Sequence, residues 1–420
     1  MRIIADLHIH SKYSRATSPD MNLPTIAEWA RIKGIDLVGT GDFTHPAHFA
    51  AISEKLEASG SGLFTLKETG AGARPVHFML TAEVSNIFSQ GGKTRKIHSL
   101  IFSPTLTAAR KMNSAFARLG NVASDGRPIF GFTAQDLLKI VLDASPDAML
   151  VPAHAWTPWF SIFGSKSGFD SIEECFGGLS KHIRAIETGL SSNPQMNWRI
   201  SSLDNVALIS NSDAHSPRKL GREANCFDAA MDYYEITDII KKKDNGRFLY
   251  TVEFYPEEGK YHADGHRNCG VALTPEETIK AGKTCPVCGA GVTVGVMSRV
   301  NELADRPEGF KPPGAVPARH LVPLEEILAE VLECGVNTAK VAKEYRRLTA
   351  QTGGEFNVLL DMTEDELKKT AGEKTALAIL KVRSGDLRIT PGFDGEFGKI
   401  RIFSKKTEVK PVSPAQAGLF

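Results

Sequence analysis

From residue 1 to about residue 235, short apolar runs alternate with amphipathic stretches, and few architectures accept that alternation. "RIIAD" reads as a strand. "PTIAEWARIKG" follows as a helix, with Pro24 near its start and Gly34 as its stop. "IDLVGT", "VHFMLTAEV", "KIHSLIF", "AMLVPA", "IRAIET" and "VALISN" read as further strands, and "TAQDLLKIVLDA" as a helix capped by Thr133. Alternation of this kind implies a largely parallel α/β sheet, open or closed into a barrel. The strand ends then share one face, where sites are built.

Beyond residue 255 the pattern changes. "YPEEGKYHADGHRNC" is polar and rich in turn residues, and a compact cysteine-bearing segment runs to about 296. "RPEGFKPPGAVP" carries four prolines between 307 and 317 and reads as a linker or stiff loop. Three amphipathic helices are expected after it: "PLEEILAEVLECG", "NTAKVAKEYRRLTAQTG" and "MTEDELKKTAGEKTALAILKVRSG". A chain of 420 residues suggests two or three domains. The expected division is an α/β domain over 1–238, a cysteine-bearing module over 250–300, a helical region over 318–395 and a basic tail over 396–420. The tail sets Lys399, Arg401, Lys405, Lys406 and Lys410 against Glu396 and Glu408.

The strand ends carry metal ligands. His8 and His10 leave the first strand two residues apart, as Asp213 and His215 leave a later one, and residues so spaced on an extended chain point to one side. Asp42 and His45 end the second strand, Glu83 ends a third, His98 lies within another, and His154 sits just past "AMLVP". Imidazole and carboxylate together suit zinc, manganese or iron, with magnesium as a further possibility. The set exceeds one ion's coordination number, so two or three ions sharing a carboxylate are expected. Such sites hold a phosphate and activate water for in-line displacement. Glu187, in "IETG", is a spare carboxylate placed to orient a ligand.

A second metal site is expected in the cysteine segment. "HRNC" and "CPVCG" supply His266, Cys269, Cys285 and Cys288, a tetrahedral nitrogen–sulfur set for one structural zinc, with His262 a competing fourth ligand. Cys175, Cys226 and Cys334 are scattered and read as small buried residues.

"DLHIHSKYS", "LTAEVS", "PAHAW" and "NSDAHSP", in this order, resemble the motifs of the polymerase and histidinol phosphatase (PHP) superfamily. That resemblance implies a distorted (β/α)₇ barrel that hydrolyses phosphoesters with up to three ions. It assigns His8, His10, Glu83 and Asp213 to one ion, Glu83, His98 and His154 to a second, and His215 to a third. Where the family has "TDH" this chain has "GDFTH", so Asp42 and His45 both stand as candidates. With "EGKYHADGHRNC…CPVCGAGVTVGV" and "RVNELADRPEG" added, nearly the whole chain resembles the endonuclease Q family of DNA-repair nucleases. Its members nick DNA 5′ of hypoxanthine, uracil and abasic sites, so damaged DNA is the expected partner.

Trp156 and Trp159, in "HAWTPWFSIFG", are candidates to stack on an extruded base, and Arg218, Lys219 and Arg222 to hold flanking phosphates. A sliding clamp is a further candidate partner, and a monomer is expected. The net charge of +1 argues neither for nor against a polyanion. The start of the chain lacks the apolar core of a signal peptide and no run is long enough to span a membrane, so a cytoplasmic location is expected. Two other functions remain open at this level: a small-molecule phosphatase acting on histidinol phosphate or a nucleotide, and a non-catalytic nucleic-acid-binding scaffold.

Overall fold

A computed structural model describes residues 1–403, except Thr69, Ala71 and Ala73. The part of the expected tail from 404 to 420, including Lys405, Lys406, Glu408 and Lys410, lies outside the described residues.

The principal strands are β1 (Arg2–Asp6), β2 (Leu37–Gly39), β3 (His77–Gln90), β4 (Lys93–Ser103), β5 (Met149–Pro152), β6 (Ala185–Glu187), β7 (Ala207–Ile209), β8 (Ala224–Asp228), β9 (Phe248–Glu253) and β10 (Ala318–His320). Their order is β10-β9-β8-β1-β2-β3, with β4 on β3 and β5 on β4. Strands β6 and β7 form a separate parallel pair. One end of that pair reaches β5 through Ala155 N–H, which donates to Glu187 O at 2.9 Å. The other end reaches β1 through His10 N–H, which donates to Ala214 O at 3.0 Å.

The sheet is mixed, which corrects the expectation of a largely parallel one. β1–β2 and β2–β3 are parallel, but β3–β4, β4–β5, β1–β8 and β8–β9 are antiparallel. The cause is local. Gly91 and Gly92, at φ of +62° and +72°, turn β3 directly into β4, so no crossover helix intervenes.

Residue alternation along the strands feeds two cores. Ile3, Leu37, Met79, Leu100, Met149, Ala185, Ala207, Phe227 and Phe248, one from each of β1 to β9, share one core. Their neighbours Ile4, Val38, Phe78, Leu150, Ile186 and Leu208 face the other way and pack with the helices.

The expected helices form, with Gly34 and Thr133 at the ends assigned to them. Asn22 caps Leu23–Lys33, and Gly34 ends it at φ +85°. Thr133 and Asp136 form a capping box on Ala134–Ala144. The stretch from Met362 to Gly385 is two helices rather than one, because Gly372 (φ +82°, ψ 159°) breaks the turn between Glu364–Ala371 and Glu373–Ser384. Lys399–Arg401, within the expected tail, pairs as a strand with Arg388–Thr390. Gly392 between them joins the cysteine segment by bonds to Glu257 O and from Ala263 N. Among the described residues, no helix is long and apolar enough to cross a membrane.

Candidate metal centre

Where β1 ends, the chain leaves apolar packing and presents His8 and His10, both fully buried. Each imidazole is held from behind. His8 Nδ1 lies 3.0 Å from both oxygens of Glu187. His10 Nδ1 lies 3.1 Å from Asp42 Oδ1 and 3.1 Å from Ser14 Oγ. Both Nε2 atoms therefore face forward. They lie 3.6 and 3.2 Å from Glu83 Oε2, and 3.5 and 3.0 Å from Asp213 Oδ1.

Glu83 occupies the middle of the long β3, not the strand end expected. The hairpin places His98 on the same face, with Nδ1 2.8 Å from Glu83 Oε1. His154 Nε2 approaches that oxygen at 3.1 Å. Two groups of ligand atoms result: His8, His10, Glu83 and Asp213, and Glu83, His98 and His154. Glu83 belongs to both.

The donor set fits divalent ions. His8 Nε2, His10 Nε2 and Asp213 Oδ1 are buried with no hydrogen-bond partner. An unpaired buried polar atom costs about 1–3 kcal/mol, and here three of them face one another. Nitrogen and carboxylate ligands in this number suit a borderline divalent metal. The backbone carries strain at the same place. Asp42, His154 and Asp213 have φ of +42°, +30° and +48°, a region that L-residues seldom occupy. Gly189 permits the His154 conformation, because a Cβ there would stand 2.6 Å from the His154 Cβ.

Electrostatics follow the packing. Burial works against charge on His8, but Glu187, Asp213 and Glu83 lift its pKa well above the ordinary value. Burial likewise opposes charge on Glu83, yet His98, Arg127 and His8 hold it well below the usual carboxylate range. His10 brings Asp42 down to about 2 in spite of its burial. Burial pushes His98 down to about 4. Two further acids lie fully buried nearby. Burial raises Glu253 to about 8, and burial together with the neighbouring Glu253 lifts Glu223 well above its ordinary value.

Several expected ligands fall outside both groups. Asp42 stands behind His10, where it also accepts from Ser11 N at 2.6 Å and Ser14 Oγ at 2.8 Å. His45 stacks on Tyr13 at 4.4 Å, and its Nε2 lies 3.2 Å from Ala123 O. His215 turns Nδ1 to Asp213 O at 2.8 Å. Among the described residues, these three join neither of the two groups of ligand atoms.

The expected DNA contacts also change. Trp156 is 1% exposed and donates to Asn197 Oδ1, so it is core and offers no free face to a base. Trp159 is 42% exposed and meets Tyr261 edge to face at 5.9 Å. Arg218 is engaged by Glu325 at 2.9 Å and Lys219 by Glu326 at 3.6 Å, which joins this loop to the first helix of the C-terminal region. Arg222 lies over the Phe254 ring.

Sequence reasoning missed Arg127, whose Nη1 donates to Glu83 Oε2 at 2.9 Å. "SDGRP" reads as a turn, and nothing local marks its arginine. A cavity of about 230 Å³ adjoins the site, lined by Thr157, Trp159, Ser191, Lys260, Tyr261 and His262 among others. Thr157 Oγ1, 3.2 Å from His154 Nδ1, connects that cavity to the ligands.

The cysteine segment forms a separate group. His266, Cys269, Cys285 and Cys288 bring one ligand atom each within 4.8 Å of the others. Gly289 N donates to Cys285 O at 2.8 Å and Cys285 N to Ala290 O at 2.7 Å, the tight turn that C-x-x-C-G requires. His266, not His262, completes the set. His262 is buried in the wall of the cavity beside Trp159.

Comparison with known proteins places these features. A family model described as the MJ0043 C-terminal domain matches residues 323–386. The chain is 32% identical over 413 residues to YqxK, an uncharacterised protein of Bacillus subtilis (strain 168), covering 95% of this chain and 99% of that one. It is 33% identical to the lesion-specific endonuclease PfuEndoQ from Pyrococcus furiosus, with a TM-score of 0.84, covering 96% of this chain and 95% of that one. A crystal structure of endonuclease Q with a 27-mer duplex substrate, an abasic lesion at its active site, matches at 33% identity with a TM-score of 0.83, covering 98% of this chain and 100% of that one.

Proposed function

The chain belongs to the endonuclease Q family, and from that premise we propose that it is a metal-dependent DNA-repair endonuclease nicking DNA 5′ of deaminated bases and abasic sites. The bases accepted are hypoxanthine and uracil. In this reading residues 1–238 are a distorted (β/α)₇ barrel that carries the chemistry, 250–300 a zinc-binding module, and 318–395 a helical region. The observation that supports it most is the convergence of His8, His10, Glu83 and Asp213, with three of their buried ligand atoms unpartnered.

His8, His10, Glu83 and Asp213 would hold one ion, and Glu83, His98 and His154 a second. Divalent metals held there supply Lewis-acid activation of water and neutralise charge on the phosphate. The protein's own residues set the geometry. Glu187 and Asp42 orient His8 and His10 so that Nε2 of each points forward. The lesion nucleotide turns out of the stack into the cavity beside Thr157 and Trp159, where Trp159 and Tyr261 offer apolar faces to the base. The zinc-binding module furnishes the far wall of that cavity through Lys260, Tyr261 and His262. The oxygen of water bonds to phosphorus, and the phosphorus–O3′ bond breaks. The products are a 3′-hydroxyl and a 5′-phosphate on the lesion side.

The test is cleavage mapping on end-labelled duplexes with one central deoxyinosine, deoxyuridine or abasic site. Incision one bond 5′ of the lesion, at least ~100-fold faster than on undamaged DNA, is the expected result. A chromogenic phosphomonoester should turn over poorly. A nick 3′ of the lesion, or equal cutting of undamaged DNA, would overturn the reading. Fast turnover of the phosphomonoester alone would make the protein a small-molecule phosphatase.

A further inference from the structure

Arg127 is the only arginine or lysine that ion-pairs with a member of either histidine–carboxylate group, among the described residues. It is not a metal ligand, since a guanidinium has no lone pair to give. Its loop is held without its side chain. Gly126 N donates to Tyr13 O at 3.0 Å, Thr44 Oγ1 to Gly126 O at 3.0 Å, and Ser85 N to Pro128 O at 3.0 Å. Asp125 Oδ1 accepts from Arg127 N at 3.1 Å. Close packing leaves no slack, for a Cβ on Gly126 would stand 2.3 Å from Asp42 Oδ2.

The guanidinium is thus carried rigidly to the edge of the cluster. Its side chain is 25% exposed, and among the described residues its one side-chain hydrogen bond goes to Glu83. A guanidinium has five N–H donors in a planar fork that matches two oxygens of a phosphate. Most of that fork remains for a ligand.

We propose that Arg127 is a catalytic residue that grips a non-bridging oxygen of the scissile phosphate and neutralises charge as the phosphorus becomes five-coordinate. The proposal rests on the endonuclease reading above and adds a substrate-contacting residue to it. The step balances without a proton from Arg127. One proton of the attacking water ends on the departing O3′ and the other passes to the product phosphate or solvent. Arginine stays charged throughout, so its contribution is independent of pH across the neutral range. A preorganised cation at such a position contributes where charge develops rather than where substrate merely binds.

The test uses the full chain loaded with metal, in wild-type, Arg127→Ala and Arg127→Lys forms. Elemental analysis reads metal content, calorimetry reads the binding of inorganic phosphate, and single-turnover incision at saturating enzyme reads the chemical step. Arg127→Ala should keep its metal, lose ~10-fold or more in phosphate affinity, and cut ~10²–10³-fold more slowly. Arg127→Lys should recover part of both losses, since it restores the charge without the fork. Loss of metal from Arg127→Ala would overturn the proposal and make Arg127 a positioning residue for Glu83. Phosphate affinity and incision both within about threefold of wild type would overturn it outright. If the wild type cuts no lesion DNA, the endonuclease reading fails, and phosphate binding still decides the role of Arg127.

Discussion

Two regions of this chain gather metal-binding side chains, and they do so in opposite ways. The histidine–carboxylate groups draw on residues from His8 to Asp213, brought together by five different strands or strand ends over a large apolar core. His8 and His10 are fully buried, and Glu83 is 1% exposed. In the cysteine group the outermost ligands, His266 and Cys288, are only 22 positions apart in the chain. Around it there is almost no core. Between 264 and 295 the only buried apolar residue is Cys285, while Ile279 and Val287 are 65% and 69% exposed. The difference separates two uses of a metal. The first site is shaped by the fold, and on the proposed reading a metal there would serve chemistry. The second lacks the apolar area to hold its own shape, and on the proposed reading a metal there would serve folding.

That contrast can be broken at either end. The largest effect is expected at Asp213→Asn. An amide is a neutral, weaker ligand, and asparagine tolerates the positive φ of this position as aspartate does. Lesion incision should fall at least ~10²-fold in single-turnover assays, while DNA affinity and Tm stay close to wild type. A folded variant that cuts at a near-normal rate would remove Asp213 from the site.

An intermediate effect of the opposite kind is expected when Cys285 and Cys288 are both changed to serine. One equivalent of zinc should be lost, and limited proteolysis should cut within 250–300 much faster than in wild type. Lesion discrimination should weaken, because Lys260, Tyr261 and His262 wall the cavity proposed for the base. Weak cutting of unspecific DNA should persist. Unchanged zinc content after removal of any ions held by the histidine–carboxylate groups would end the comparison.

The smallest effect concerns the buried acids near the first site, a burden that only a region with a large core carries. Glu253 titrates at about 8 in the folded chain because burial disfavours its charge. An unfolded glutamate titrates near 4.3. Folding then retains a proton that the unfolded chain gives up, so this contribution is intact below the unfolded pKa and is lost as pH rises to about 8. Glu253→Gln mimics the protonated acid. The fall in Tm between pH 5 and 8 should shrink by a few degrees. An identical pH profile in the variant would mean that Glu253 is ionised in the fold.

Much of the fold and the site was legible in the sequence. His8, His10, Glu83, His98, His154 and Asp213 all reach the groups expected of them, and so does the set from His266 to Cys288. The illegible parts share a cause. Sheet direction near β3 and β4 turned on a two-glycine hairpin that resembles any polar loop. Asp42 and His45 are equally plausible ligands in one dimension, and only packing sets Asp42 behind His10. Trp156 and Trp159 sit in one aromatic run, yet one is core and the other is on the surface.

What the sequence determined by itself is therefore the inventory and the periodicity: which ligand types occur, which runs are strands or helices, and where each is capped. Those depend on residues a few positions apart, and local chemistry decides them. Only the tertiary structure decided the partnerships: Glu83 shared by two groups, Glu187 behind His8, Arg127 at the rim, and His266 in place of His262. Each depends on a distance through space between residues remote in the chain, and that distance exists only once the strands have packed on one core.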